Sequence, residues 1–176
     1  SRLLVDARVF DAFTERFARA AADLVVGHAL TPGVQVNAVI NAEDQARLCA
    51  AQSAAAAECV ARGGAVLLAG GPVAGPGAGV KPAVFQLPAA AAQDPASFCR
   101  QELFGPVVHA LPYRSLDEAV ALFNGTEYAL TGGLFAQSDD DIDALVPRLR
   151  CGNLYVNRSN TGARVAVEPF GGFAMS

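Results

Sequence analysis

No apolar run in the 176 residues approaches the roughly 18 uninterrupted positions that a membrane-spanning helix needs. The first residues carry no basic, apolar and small-residue succession of the secretory type, so the chain reads as soluble and cytoplasmic, without a transmembrane segment. Basic residues are few and scattered singly. There are 13 Lys and Arg against 17 Asp and Glu, a net charge of -4, which excludes the electrostatic footprint of a nucleic-acid partner. Cys49, Cys59, Cys99 and Cys151 lie far apart with no C-x-x-C pair, and His28 and His109 stand in apolar surroundings, so no zinc-ligand spacing is present. The four thiols read instead as small buried hydrophobes.

What is present is apolar bulk. With 52% hydrophobic and 17% charged residues the chain is too apolar to stay disordered and long enough to bury a core, which predicts a single domain over residues 1–176. Arg2 to Val5 reads as a strand. Asp6 is placed to cap a helix whose apolar face is Val9, Phe10, Phe13, Phe17, Ala20, Ala21 and Leu24, with Gly27 as its stop. Asn41 caps a second, Ala-rich helix from Ala42 to Arg62, ended by Gly63 and Gly64. Ala65 to Leu68 reads as a buried strand, Gly70 to Gly79 with Pro72 and Pro76 as an irregular loop, and Ala83 to Phe85 and Val107 to Tyr113 as further strands. Ser115 and Glu118 form a capping-box pattern before a helix ending near Asn124, and Thr131 to Ala136 is again a strand. Ser138 with Asp139, Asp140 and Asp141 starts a helix that buries Ile142, Leu145 and Leu149, and Leu154 to Val156 closes the set. This alternation predicts a three-layer α/β/α domain with a mostly parallel sheet and right-handed crossovers.

Three segments offer chemistry. Glu102-Leu103-Phe104-Gly105-Pro106-Val107 sets a carboxylate two residues from an aromatic ring; in an extended segment both face one side and could present an acceptor and an apolar plate to a diol and a flat heterocycle. By spacing alone the plainer reading is a solvated Glu102 and a core Phe104. Cys151-Gly152-Asn153-Leu154-Tyr155-Val156-Asn157-Arg158 is a strand between two Asn side chains that more often fix turns than touch substrate. Glu168-Pro169-Phe170-Gly171-Gly172-Phe173-Ala174-Met175-Ser176 contains adjacent glycines that can bring backbone N–H groups to an anion.

Taken in order, these segments with Asn124-Gly125-Thr126-Glu127-Tyr128-Ala129-Leu130-Thr131-Gly132-Gly133-Leu134-Phe135 between the first and second resemble the C-terminal part of the catalytic domain of the aldehyde dehydrogenase superfamily. Ser1 to Val5 is similar to the family strand that follows the nucleophile, and Gly64-Ala65 with Gly70-Gly71 matches a further family segment. The resemblance spans essentially the whole chain. The run from Gly152 to Arg158, followed by Thr161-Gly162-Ala163, looks most like Δ1-pyrroline-5-carboxylate dehydrogenases, including the domain fused to proline dehydrogenase in bifunctional proline-utilisation proteins.

The resemblance implies a role for each site residue. Glu102 falls where the family's glutamate holds the nicotinamide ribose hydroxyls of NAD, and Phe104 where its aromatic packs beside the nicotinamide. Gly171, Gly172 and Ser176 fall in the loop that anchors the α-carboxylate of glutamate semialdehyde, with Phe170 or Phe173 in the aldehyde-binding wall. The family's nucleophilic cysteine, general base and dinucleotide-binding domain have no counterpart among the 176 residues, so the isolated chain is expected to be inactive. Its implied partners are the small aldehyde, the remainder of a parent polypeptide and, in the intact protein, further copies in a homo-oligomer. Three departures stand outside the chemical centre: Asn37-Ala38 where G-P is usual, Ala83 in place of the Thr of P-T-V, and Ala174 in place of the Lys of G-G-[FY]-K-M-S. A non-catalytic module with a structural or assembly role in a larger protein is the alternative reading.

Overall fold

The aliphatic runs between Arg2 and Tyr113 pair into one sheet. In the computed structural model, which describes residues 1–75, 77–164 and 166–176, the chain forms two compact units, Ser1–Tyr113 and Arg114–Ser176. Pro76, expected within a loop, lies outside the described residues. The first unit contains, in chain order, β1 (Arg2–Asp6), α1 (Phe10–Ala22), the short pair β2 (Val26–Gly27) and β3 (Val36–Asn37), α2 (Ala42–Ala61), β4 (Ala65–Pro72), β5 (Val80–Gln86) and β6 (Val107–Tyr113). Its sheet has the order β1-β6-β5-β4; β1 and β5 run parallel to β6, and β4 closes one edge antiparallel to β5. The fold is thus mixed α/β with a mostly parallel sheet, as the alternation of elements predicts.

Burial explains the pattern. Ala83, Val84 and Phe85 are consecutive in β5 and all buried, so both faces of that strand are covered and it reads as an uninterrupted apolar run. β4 differs from its expectation: it continues to Pro72 and is exposed or half-buried throughout, at the antiparallel edge of the sheet. Buried Gln52 of α2 ties that edge down by donating to the Lys81 carbonyl (2.9 Å) and accepting from the Gly71 N–H (2.8 Å).

The helices follow their signals unevenly. Asn41 caps α2 through a 2.7 Å bond from the Asp44 N–H, as expected. Asp6 does not cap α1. Its carboxylate is engaged by the backbone N–H and guanidinium of Arg8 (2.7–2.9 Å), which holds it well below the usual carboxylate range, at about 2, and the helix begins at Phe10 behind an uncapped Val9. The buried face of α1 is Phe10, Thr14 and Ala21; Val9 and Phe13 point outward, and Phe13 stacks on Phe17 with ring centroids 6.1 Å apart. Gly27 is not a helix stop either, because the chain leaves the helix at Asp23 and Gly27 pairs with Asn37.

The second unit contains α3 (Leu116–Asn124), β7 (Tyr128–Ala129), β8 (Thr131–Leu134), α4 (Asp139–Leu145), β9 (Asn153–Val156) and β10 (Phe173–Ala174). β8 and β9 pair in parallel, and β10 pairs antiparallel with β7. Ser115 and Ser138 cap the two helices by accepting from the N–H groups of Glu118 and Asp141. The Glu118 carboxylate reaches back one residue further than the capping-box pattern implies, to the Arg114 N–H (2.7 Å). β8 stops at Leu134, short of the expected Ala136, because the Asn157 side chain takes both the N–H (3.0 Å) and the carbonyl (2.9 Å) of Ala136 out of the ladder.

Candidate functional site

The segment from Glu102 to Gly105 is a turn and not the extended run its spacing suggested. Phe104 sits in the left-handed region (φ 52), and its N–H donates to Glu102 Oε1 at 3.4 Å, so the two side chains are related through a bend. Nor is Phe104 a core residue: it is 83% exposed, and Glu102 is exposed beside it. A bulky residue held at positive φ with its ring in solvent combines backbone strain with a hydrophobic cost, a pairing that marks functional positions more often than structural ones.

The core beneath holds this turn up. A Cβ on Gly105 would come within 2.5 Å of Leu48, a completely buried residue of α2, so only glycine lets the backbone approach this closely. Arg47, the neighbour of Leu48, donates to the Leu103 carbonyl at 3.1 Å. The Pro106 carbonyl accepts from the Ala83 N–H (2.8 Å), which joins the turn directly to β5. Further back along the same connection, Arg62 is bonded to Glu58 (2.6 Å) and Asp94 (2.5 Å), and Glu58 accepts from the Phe98 N–H (3.0 Å). Sequence reasoning missed these supports; the only signal for Arg47 was its helical spacing from Asp44.

The second segment belongs to the other unit and is described by itself. Phe170 and Phe173 are 55% and 53% exposed, and Gly171, Gly172 and Ser176 are exposed as well. β10 carries Phe173, the Met175 N–H donates to the Glu127 carbonyl (2.9 Å), and Ser176 Oγ accepts from the Ala129 N–H (3.0 Å). The two glycines act differently from expectation. Neither adopts positive φ; the left-handed residue is Ala174 (φ 55). Gly172 is required for space, since a Cβ there would lie 2.6 Å from the Ser176 Cβ, whereas a Cβ on Gly171 would meet nothing. Gly152 is the closer constraint, because its missing Cβ is where the Gly171 carbonyl sits. Asn153 holds the same segment by donating to the Pro169 carbonyl (3.1 Å), and with Asn157 it fixes loop backbone as its residue type implies.

Cys59 and Cys99 are buried, Cys49 and Cys151 half-buried, and burial pushes the Cys59 and Cys151 thiols up, which keeps them protonated. His109 is buried against Phe85 (centroids 5.5 Å apart) and is held down to about 4, chiefly by that burial. His28, expected in apolar surroundings, is exposed in a turn, where Nδ1 accepts from the Leu30 N–H. Among the described residues no group of three or more His, Cys, Asp or Glu could hold a metal ion, and no helix is long and apolar enough to cross a membrane.

The sequence pattern of the aldehyde dehydrogenase family matches residues 1–176, from end to end. The chain belongs to the aldehyde dehydrogenase family. A 1-pyrroline-5-carboxylate dehydrogenase of Bacillus licheniformis is 46% identical over 81 residues, covering 46% of this chain and 16% of that protein. The matched stretch therefore spans about a sixth of this curated relative. The solved structure of 1-pyrroline-5-carboxylate dehydrogenase from Thermus with bound NAD superimposes with a TM-score of 0.84 at 30% identity, over 99% of this chain and 32% of that one. Proline utilization A of Bradyrhizobium japonicum gives a TM-score of 0.80 at 34% identity, over 98% of this chain and 17% of that one. These two 1-pyrroline-5-carboxylate dehydrogenases and proline utilization A are each much longer than the 176 residues.

Proposed function

We propose that this chain is the C-terminal part of the catalytic domain of an NAD-dependent dehydrogenase that oxidises L-glutamate 5-semialdehyde, the open form of Δ1-pyrroline-5-carboxylate, to glutamate in proline catabolism. One observation carries the proposal: an exposed aromatic ring at positive φ, beside a carboxylate, in a turn seated on the core. That pair fits the nicotinamide end of NAD. The Glu102 carboxylate accepts hydrogen bonds from vicinal ribose hydroxyls, and Phe104 provides an apolar plate beside a flat ring. NAD, when bound, accepts the hydride. In the same proposal the Phe170–Ser176 segment recognises the substrate, with Phe170 and Phe173 walling the aldehyde and Gly171, Gly172 and Ser176 lining the place of its α-carboxylate. The N–H groups of Met175 and Ser176 are bonded to the carbonyls of Glu127 and Phe173.

The nucleophile, the general base and the dinucleotide-binding domain come from the remainder of the parent polypeptide, which assembles as a homo-oligomer in a soluble, cytoplasmic setting; the 176 residues alone turn nothing over. The test uses the parent enzyme with Glu102→Ala, followed by NADH formation from glutamate semialdehyde. A charged hydrogen bond to a hydroxyl contributes about 1.5 to 3 kcal/mol, so hydride transfer or NAD binding should weaken by roughly ten- to a hundredfold. Unchanged NAD affinity together with an unchanged hydride-transfer rate would remove Glu102 from the site. Equal efficiency toward propanal and the semialdehyde would remove the carboxylated substrate.

A further inference from the structure

The Leu103–Phe104 peptide group is held at both ends. Its carbonyl accepts from the Arg47 guanidinium at 3.1 Å, and its N–H donates to Glu102 Oε1 at 3.4 Å. The orientation of this one peptide plane sets φ of Phe104, because the plane ends at the N–Cα bond about which φ turns. A plane released at its carbonyl can rotate and return Phe104 to the ordinary negative-φ region, and the same rotation withdraws the N–H that orients the Glu102 carboxylate. Arg47 is itself fixed. Its Nε donates to Asp44 Oδ1 at 2.8 Å, and Asp44 lies in the first turn of α2, its own N–H bonded to the Asn41 cap. The next residue, Leu48, is the buried contact beneath Gly105. One helical turn therefore grips consecutive residues of the Glu102–Gly105 turn by a charge-assisted bond and by packing.

We infer that Arg47 is a positioning residue for the cofactor-facing turn, keeping Phe104 in its strained conformation and the Glu102 carboxylate in place; this rests on the cofactor reading above. A plain surface ion pair with Asp44 would explain the 2.6 Å contact between those two side chains, but not a bond to a carbonyl 56 residues away that belongs to the strained peptide.

The experiment compares Arg47→Met, which keeps the aliphatic stem and loses the donor, with Arg47→Lys, which restores one, in the parent enzyme alongside Glu102→Ala. The positioning role expects three results for Arg47→Met. Amide exchange across residues 101–105 of the cofactor-free enzyme rises severalfold, hydride transfer slows about three- to tenfold, and KM for the aldehyde stays constant, as losing one hydrogen bond outside the aldehyde pocket should give. Arg47→Lys recovers most of both losses. The melting temperature moves by less than about 2 °C, because an exposed ion pair contributes little. Wild-type exchange and hydride transfer in Arg47→Met, with Glu102→Ala impaired, overturns the positioning role and leaves the cofactor reading standing. Wild-type behaviour of Glu102→Ala overturns the cofactor reading instead, and exchange at residues 101–105 then decides alone whether Arg47 shapes the turn.

Discussion

The Glu102–Gly105 turn and the Phe170–Ser176 segment both present exposed phenylalanines, and each includes one residue other than glycine at positive φ, Phe104 and Ala174. They differ in what lies underneath. The turn rests on fully buried Leu48 and is bonded to α2 and β5, so its shape is coupled to the core of its unit. The Phe170–Ser176 segment is held by a two-residue strand pairing, a few loop hydrogen bonds and the close approach to Gly152, and all of its residues from Pro169 onward are exposed. A turn seated on a buried core keeps its geometry by itself, whereas a segment with shallow support is adjustable and depends on what packs against it.

This contrast can be tested by perturbing each platform. The largest effect belongs to His109, in the core of the first unit. Its folded value of about 4 lies below the 6.5 of an unfolded imidazole, so between those pH values the unfolded chain binds a proton that the folded chain refuses. Stability is therefore complete above about pH 6.5, falls as pH drops toward 4 and levels off below, by up to about 3 kcal/mol. Urea midpoints measured from pH 7 to pH 4 should show this slope, and His109→Gln should flatten it.

Gly105→Ala comes next. The added methyl group meets Leu48 where no room exists, so unfolding of the whole unit should become easier by about 1 to 3 kcal/mol. Gly152→Ala sets a methyl group against the Gly171 carbonyl, but the consequence should stay local. Amide protection of Phe170–Ser176 is lost while the urea midpoint shifts by no more than about 1 kcal/mol, as expected of a weakly supported segment. If the two glycines gave the same global loss, the contrast between platform and segment would fail. The smallest effect is a gain: Ala174→Gly removes a left-handed strain of about 1 kcal/mol, partly offset by the entropy of glycine, so the midpoint should rise slightly.

Much of the frame was legible in the residues. Asn41, Ser115 and Ser138 cap the helices they were expected to cap, because a cap is a bond between residues two or three apart and needs no tertiary partner. The runs of β5 and β6 read as strands, the run of β4 read as a buried strand but lies exposed or half-buried, and the order of motifs carried the family. Local signals failed wherever a distant or competing partner decided the outcome. Asp6 has the right residue type for a cap but is taken by Arg8, and the apolar stripe of α1 divides into a buried and an exposed set according to which side meets the sheet.

The candidate site residues divide in the same way. Sequence alone determined which residues are available for chemistry, a carboxylate two positions from an aromatic ring and a glycine pair within an apolar stretch, because residue type and spacing are covalent facts. Only the tertiary structure decided that Phe104 bends into the left-handed region and that Arg47 and Leu48 hold it there. It also decided that Gly172 is needed for space and not for φ. The reason is physical: Arg47 and Leu103 are 56 residues apart, and no local propensity encodes a contact that exists only once α2 has packed beneath the turn leading into β6.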